Sequence, residues 1–232
     1  MKYTFTLFIL AISFFGDLTA QDAASLDNIY KANIPLHQET ISGGFYLDPP
    51  PTIEGDPYLF SKHFELGDLT INGIFYANVP LLYNIYTDEI VTFHPEHKQR
   101  VLIKTEKINA FSIHKKPVVN FIKIAENPGY GFHGNGFYEV LDSGKAILLS
   151  KHYKTRKEKK EISKYTSSFV DKEDFWLQMD GNLRPINKRK DVIQLLGVDK
   201  KEIKTLANER NLIYRTDKRS YLQMVLGYYN QL

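Results

Sequence analysis

Cysteine is absent from the 232 residues. That one absence excludes disulfides, thiolate zinc sites, iron–sulfur clusters, a cysteine nucleophile and a lipid-modified N-terminal cysteine together. A surplus of one charge is also lacking. Thirty Lys and Arg against 27 Asp and Glu leave a formal net charge of +3, too little over this length to point to a polyanionic partner. After the N-terminal segment no stretch reaches the roughly 18 apolar residues that a spanning helix needs. Composition bias is missing too: 43% hydrophobic and 25% charged residues are ordinary globular usage, which excludes disorder and a low-complexity fibre. Aromatic residues, by contrast, are plentiful. Fifteen Tyr, 15 Phe and one Trp favour strands over helices as the bulk of the fold.

The N-terminus has its own pattern. Lys2 precedes an apolar run from Tyr3 to Phe15, followed by Gly16-Asp17-Leu18-Thr19-Ala20 and then Gln21. This is the layout of a secretory signal peptide over residues 1–20, cut between Ala20 and Gln21. As a helix the run spans only about 20 Å, short of the roughly 30 Å hydrocarbon core. The expectation is an exported protein, periplasmic or extracellular. Without disulfides in an oxidising space, its stability must come from packing.

Residues 21–57 read as an irregular N-terminal arm with room for one edge strand, because Pro49-Pro50-Pro51 cannot join a central ladder. From Tyr58 the pattern turns to strands. Val79, Leu81, Tyr83 and Ile85 alternate with Pro80, Leu82, Asn84 and Tyr86, the period of a half-buried strand. Turns are expected at Ile71-Asn72-Gly73, Thr87-Asp88-Glu89, His94 to Lys98 and Asp180-Gly181. Phe137–Leu141, Asp142-Ser143-Gly144 and Lys145–Tyr153 form the clearest hairpin, with Gly144 suited to a left-handed position. Near residue 188 the period becomes helical. Val192, Ile193, Leu195 and Leu196 are stopped by Gly197, Asp199 with Glu202 resembles a capping box, and Asp217 is placed to cap a last helix carrying Leu222, Val225 and Leu226. The expected fold is α+β: an antiparallel β-meander sheet over residues 58–187, with two or three short C-terminal helices, residues 188–232, packed on one face.

Few motifs carry chemistry. Gly129-Tyr130-Gly131-Phe132-His133-Gly134 matches G-x-G-x-x-G, but a strand follows it rather than a helix N-terminus, so it reads as a glycine-rich loop. No G-x-x-x-x-G-K-[ST] and no G-x-S-x-G run occurs. His94 and His97, three apart at a hairpin tip, are the candidate metal ligands, with His63 or His114 as a third. Asp68, Asp88, Glu89, Glu139 and Asp142 all fall near turns or at outward positions, which leaves no carboxylate pair singled out. A basic run follows: Lys151, Lys154, Arg156, Lys157, Lys159, Lys160 and Lys164 against Glu158 and Glu161. It is the candidate patch for an anionic ligand, an envelope glycan or a lipid head group, set against a solvated ribbon whose like charges keep a sheet edge from aggregating.

Asn72-Gly73-Ile74-Phe75-Tyr76, Val79-Pro80-Leu81-Leu82-Tyr83-Asn84, Phe137-Tyr138-Glu139-Val140-Leu141, Lys200-Lys201-Glu202-Ile203-Lys204 and Tyr228-Tyr229-Asn230 together resemble a group of exported bacterial proteins of unknown function. The resemblance runs across roughly residues 58–232. It implies a protein of a Gram-negative-type envelope with no assigned activity and no functional residues to carry over. No catalytic residue or cofactor is expected. The leading reading is a non-catalytic module that binds an envelope protein or glycan rather than nucleic acid. A carrier holding a lipid-like ligand between sheet and helices and a hydrolase of envelope polymer are the alternatives, with an outer-membrane barrel behind them.

Overall fold

Tight turns set the register of the sheet. Asn72 and Gly73 lie at φ 50° and 79°, and Asp180 and Gly181 at 50° and 74°. Two successive positive φ angles are the conformation whose twist matches a two-residue hairpin. The first turn joins β2 (Glu65–Ile71) to β3 (Ile74–Asn84) and the second joins β10 (Tyr165–Met179) to β11 (Asn182–Ile186). The remaining strands are β1 (Ile53–Glu54), β4 (Glu89–His94), β5 (Gln99–Leu102), β6 (Ile108–Ile113), β7 (Val119–Lys123), β8 (Phe137–Ser143) and β9 (Ile147–Lys160). The computed structural model describes residues 38–94, 96–160 and 165–232, and residues 41–232 form one compact unit. The leader expected at residues 1–20 and the arm residues 21–37 lie outside the described residues.

Among the described residues, eleven strands form one sheet in the order β1-β10-β9-β8-β7-β6-β2-β3-β4-β5, with β11 also on β10. Pairing is antiparallel except where Ile53–Glu54 runs parallel to Ser167–Ser168. Residues 38–57, the described part of the arm, join the sheet edges. They supply that short strand, and Phe45 bridges to Val101 on the outer edge of β5. The far end of β3 is also covered on both sides: Leu81 and Tyr83 enter one apolar cluster, while Leu82 packs with Tyr58 and Val91 in another. A backbone hydrogen bond from Lys154 N–H to Ile85 O (3.3 Å) brings the end of β3 back against β9.

Three helices follow, as the periodicity requires: α1 (Arg189–Leu196), α2 (Lys200–Glu209) and α3 (Lys218–Gln231). Gly197 ends α1 at φ 64°, and Asp199 caps α2 by accepting from the N–H groups of Lys201 (2.7 Å) and Glu202 (3.0 Å). Asp217 differs from the expectation. Its carboxylate accepts from Ile213 N–H and the Thr216 hydroxyl in the preceding turn and caps nothing. The apolar faces of the helices close over Leu148, Phe175 and Leu177 through Val192, Ile203, Leu222, Val225 and Leu226. Burying each such side chain stabilises by about 1.5–3 kcal/mol. Gly144 is needed for a reason other than the one its turn suggested. Its φ is not left-handed, and a Cβ there would meet Asn230 of α3 at 2.5 Å, where the Asn230 side chain accepts from Lys145 N–H.

Candidate functional site

Strand β9 begins as an apolar run, Ile147-Leu148-Leu149, and then places Ser150-Lys151-His152 in the middle of the sheet. Side chains alternate across a strand, so Lys151 and His152 face opposite ways and enter two separate charge networks.

Lys151 is 1% exposed. Its ammonium donates to Asp88 Oδ2 (2.6 Å) and to the carbonyl of Phe137 (3.0 Å), and lies 5.2 Å from the centre of the Tyr138 ring. Asp88 occupies the expected turn at φ 60°, but its side chain points inward and is buried, contrary to the outward position the turn implied. Its Oδ1 accepts from the Tyr83 hydroxyl (2.5 Å), and its Oδ2 also accepts from the N–H groups of Gly136 (2.9 Å) and Phe137 (3.5 Å). The end of the glycine-rich loop, Gly134 to Gly136, closes on this carboxylate. A Cβ on Gly134 would stand 2.8 Å from the Asp88 side chain, and one on Gly136, at φ 83°, would stand 2.2 Å from Ile124 O. Burial pulls the Lys151 ammonium down from its ordinary range even though Asp88 pulls it up. Burial and the neighbouring carboxylate both push the Tyr83 phenol up, which keeps it a proton donor.

On the other face, His152 pairs across the ladder with Glu173, and Ser150 with Glu139. His152 Nε2 lies 2.5 Å from Glu139 Oε2, and Ser150 donates to Glu173 Oε1 (2.7 Å). Arg219 of α3 closes the cluster. Its guanidinium forks onto both oxygens of Glu139 (2.7 and 2.6 Å), and Nη2 also reaches Glu173 Oε1 (2.7 Å). This two-pronged geometry is the strong form of the Arg–carboxylate pair. Burial alone would raise the Glu139 carboxyl, but hydrogen bonds and charge from His152 and Arg219 outweigh it and hold the group below its ordinary range. Glu139, His152 and Glu173 offer donor atoms within 4.8 Å of one another, a carboxylate–imidazole set of a type that suits a divalent cation. Nη2 of Arg219 stands where those donors converge, 3.2 Å from His152 Nε2. The built-in cation also joins both carboxylates, so neither is presented as a base to a substrate.

A third feature is concave. A cleft of about 410 Å³ opens between residues 48–58 and Phe169 on β10, walled by Pro50, Pro51, Ile53 and Tyr58. Its polar lining, Asp48, Glu54, Asp56 and Lys62, carries more negative than positive charge. Asp48 accepts from Arg100 (2.6 Å) and from the Tyr58 hydroxyl (2.7 Å), which fixes that wall. Phe169 is set edge to face against Tyr86, with ring centres 5.1 Å apart.

The residues singled out by sequence are scattered by comparison. The rings of His94 and His97 do meet, 4.3 Å apart, and His94 Nδ1 accepts from His97 N–H (3.2 Å). His114 is elsewhere, 2.8 Å from Asp68. The basic run is sorted by the strand period. Lys151 is buried in its ion pair, Lys154 is nearly buried against Asp56 and Asp171, and Arg156 lies 3.4 Å from Glu158. Lys157 and Lys160 are exposed, and neighbours on one strand point to opposite faces. The Lys159 side chain and all of Lys164 lie outside the described residues. Sequence reasoning weighed Asp88 and Glu139 only to set them aside, and missed Tyr83, His152, Glu173 and Arg219. The available signal was a polar triplet, Ser150-Lys151-His152, directly after the apolar run Ile147-Leu148-Leu149, and Glu139 alone between Tyr138 and Val140. Compared with known proteins, the chain matches no family model, no curated protein and no solved structure.

Proposed function

We propose that this protein is an exported, non-catalytic binding module of the cell envelope, and that it holds a glycan segment in the cleft between residues 48–58 and β10. The cleft carries the reading. Its volume of about 410 Å³ falls within the size of small-ligand sites, and it combines apolar walls with a few fixed polar groups. Proline rings and Phe169 offer flat apolar surface to the C–H face of a sugar ring. Asp48, held by Arg100 and Tyr58, retains acceptor capacity for hydroxyl groups. Arg100 on Asp48 and Lys154 on Asp56 offset those two carboxylates, and Glu54 and Lys62 balance each other, which suits a neutral sugar. Export is supported by the leader pattern of residues 1–20, and no described helix is long and apolar enough to cross a membrane.

The alternatives have less to stand on. A lipid carrier needs space between sheet and helices, where Leu148, Phe175, Leu222, Val225 and Leu226 pack against one another. A hydrolase needs a free acid and base, and the His152–Glu139 pair is tied up by Arg219. Titration calorimetry with soluble fragments of envelope glycan tests the proposal. Binding is expected, and Phe169→Ala should weaken it roughly tenfold, about 1.4 kcal/mol. No binding by the native chain, or equal binding by Phe169→Ala, overturns it.

A further inference from the structure

The Lys151–Asp88 pair is built in a way that an ion pair alone does not require. Both side chains are buried, at 1% and 7% exposure, and their atoms touch at 2.6 Å. Tyr138 and Phe137, the one through its ring and the other through its carbonyl, wall off the ammonium. The carboxylate is held from several sides at once: Tyr83 on Oδ1, and the N–H groups of Gly136 and Phe137 on Oδ2. Two opposite charges in a dry interior carry a desolvation penalty that their attraction only partly offsets. A reaction that removed both charges would relieve it.

We propose that Lys151 and Asp88 condense within the folded chain to an intramolecular amide that joins β9 to the turn between β3 and β4. The bond that forms is Nζ to Cγ; the bond that breaks is Cγ to Oδ1, and one water leaves. The ammonium first gives a proton to the carboxylate, and with that proton on Oδ1 the pair is a neutral amine and a neutral acid. The amine then adds to Cγ, and Oδ2, facing two backbone N–H groups, carries the negative charge that develops, as in an oxyanion hole. A second proton from Nζ ends on Oδ1, which departs as water. Tyr83, whose hydroxyl donates to Oδ1, lies at the oxygen that departs. No oxidant or cofactor enters the balance.

Three physical effects favour the step. The reactants are fixed in contact, so the entropy that makes amide formation slow between separate molecules has already been lost on folding. Burial lowers the Lys151 ammonium toward the neutral, nucleophilic form, and burial keeps Tyr83 protonated as a donor. The product is a hydrogen-bonding amide in place of two buried charges. It would give a chain with no cysteine a covalent staple between residues 63 positions apart.

Mass spectrometry of the purified full chain under denaturing conditions tests this. The expected mass lies one water below that of the processed sequence, and proteolysis should yield a branched peptide that joins the segments bearing Asp88 and Lys151. The Asp88→Ala chain, folded or not, should carry its full mass. A native chain of full mass, with the two residues recovered in separate peptides, overturns the proposal. So does a loss of water confined to one unbranched peptide, as an aspartyl succinimide would give.

Discussion

Lys151 and His152 are neighbours in the chain and opposite in circumstance. Lys151 meets one carboxylate in an interior closed to water. His152 joins two carboxylates and an arginine at the border between the sheet and α3, where the Arg219 side chain is still 37% exposed. The difference teaches that charge count says little about strength. What decides is how much water each group has lost and whether its remaining hydrogen-bonding capacity is filled. Asp88 has both oxygens filled by the fold itself. The Glu139 cluster shares its contacts among several groups, any of which water can partly replace.

The comparison breaks first at Asp88. Replacing it with alanine strands a buried ammonium, so Asp88→Ala should lose about 3–5 kcal/mol of stability in urea denaturation. A loss below about 1 kcal/mol would put the pair on a par with surface ion pairs. Arg219→Ala comes next. It removes the fork on Glu139, yet solvent can enter, and the expected loss is about 1–2 kcal/mol, shrinking with added salt. Smallest is a pH effect. Glu139 is held below its ordinary value of 4.5. Its contribution is therefore complete above that value and is lost as pH falls through the lower folded one, because the unfolded chain binds the proton first. Glu139→Gln should flatten the stability curve on that acid limb.

How much of this was legible depends on how local the cause is. The β8–β9 and β10–β11 hairpins, the stop at Gly197 and the Asp199 cap are set by residues a few positions apart, and each reads directly from sequence. Ile53–Glu54 was hidden because its partner is β10, more than a hundred residues on. Asp88 was hidden for a subtler reason. Its position in Thr87-Asp88-Glu89 is fully explained by turn chemistry, while its inward side chain is decided by Lys151 and by glycines far along the chain. The basic run misled in one dimension, since alternate members go to opposite faces and Lys151 never reaches the surface. The glycine motif is followed by β8, a strand, as the sequence implied. Its actual use, to let backbone approach a buried carboxylate, needed the fold.

The central claim is that Lys151 and Asp88 are tolerated in the interior only as a pair, so that losing either partner alone is costly. A double-mutant cycle on Asp88→Leu and Lys151→Met, read by chemical denaturation, tests it most directly. Each single change should be severe, and the double should recover much of the loss, giving a coupling of about 2–3 kcal/mol. Additive or near-silent single changes would contradict the claim.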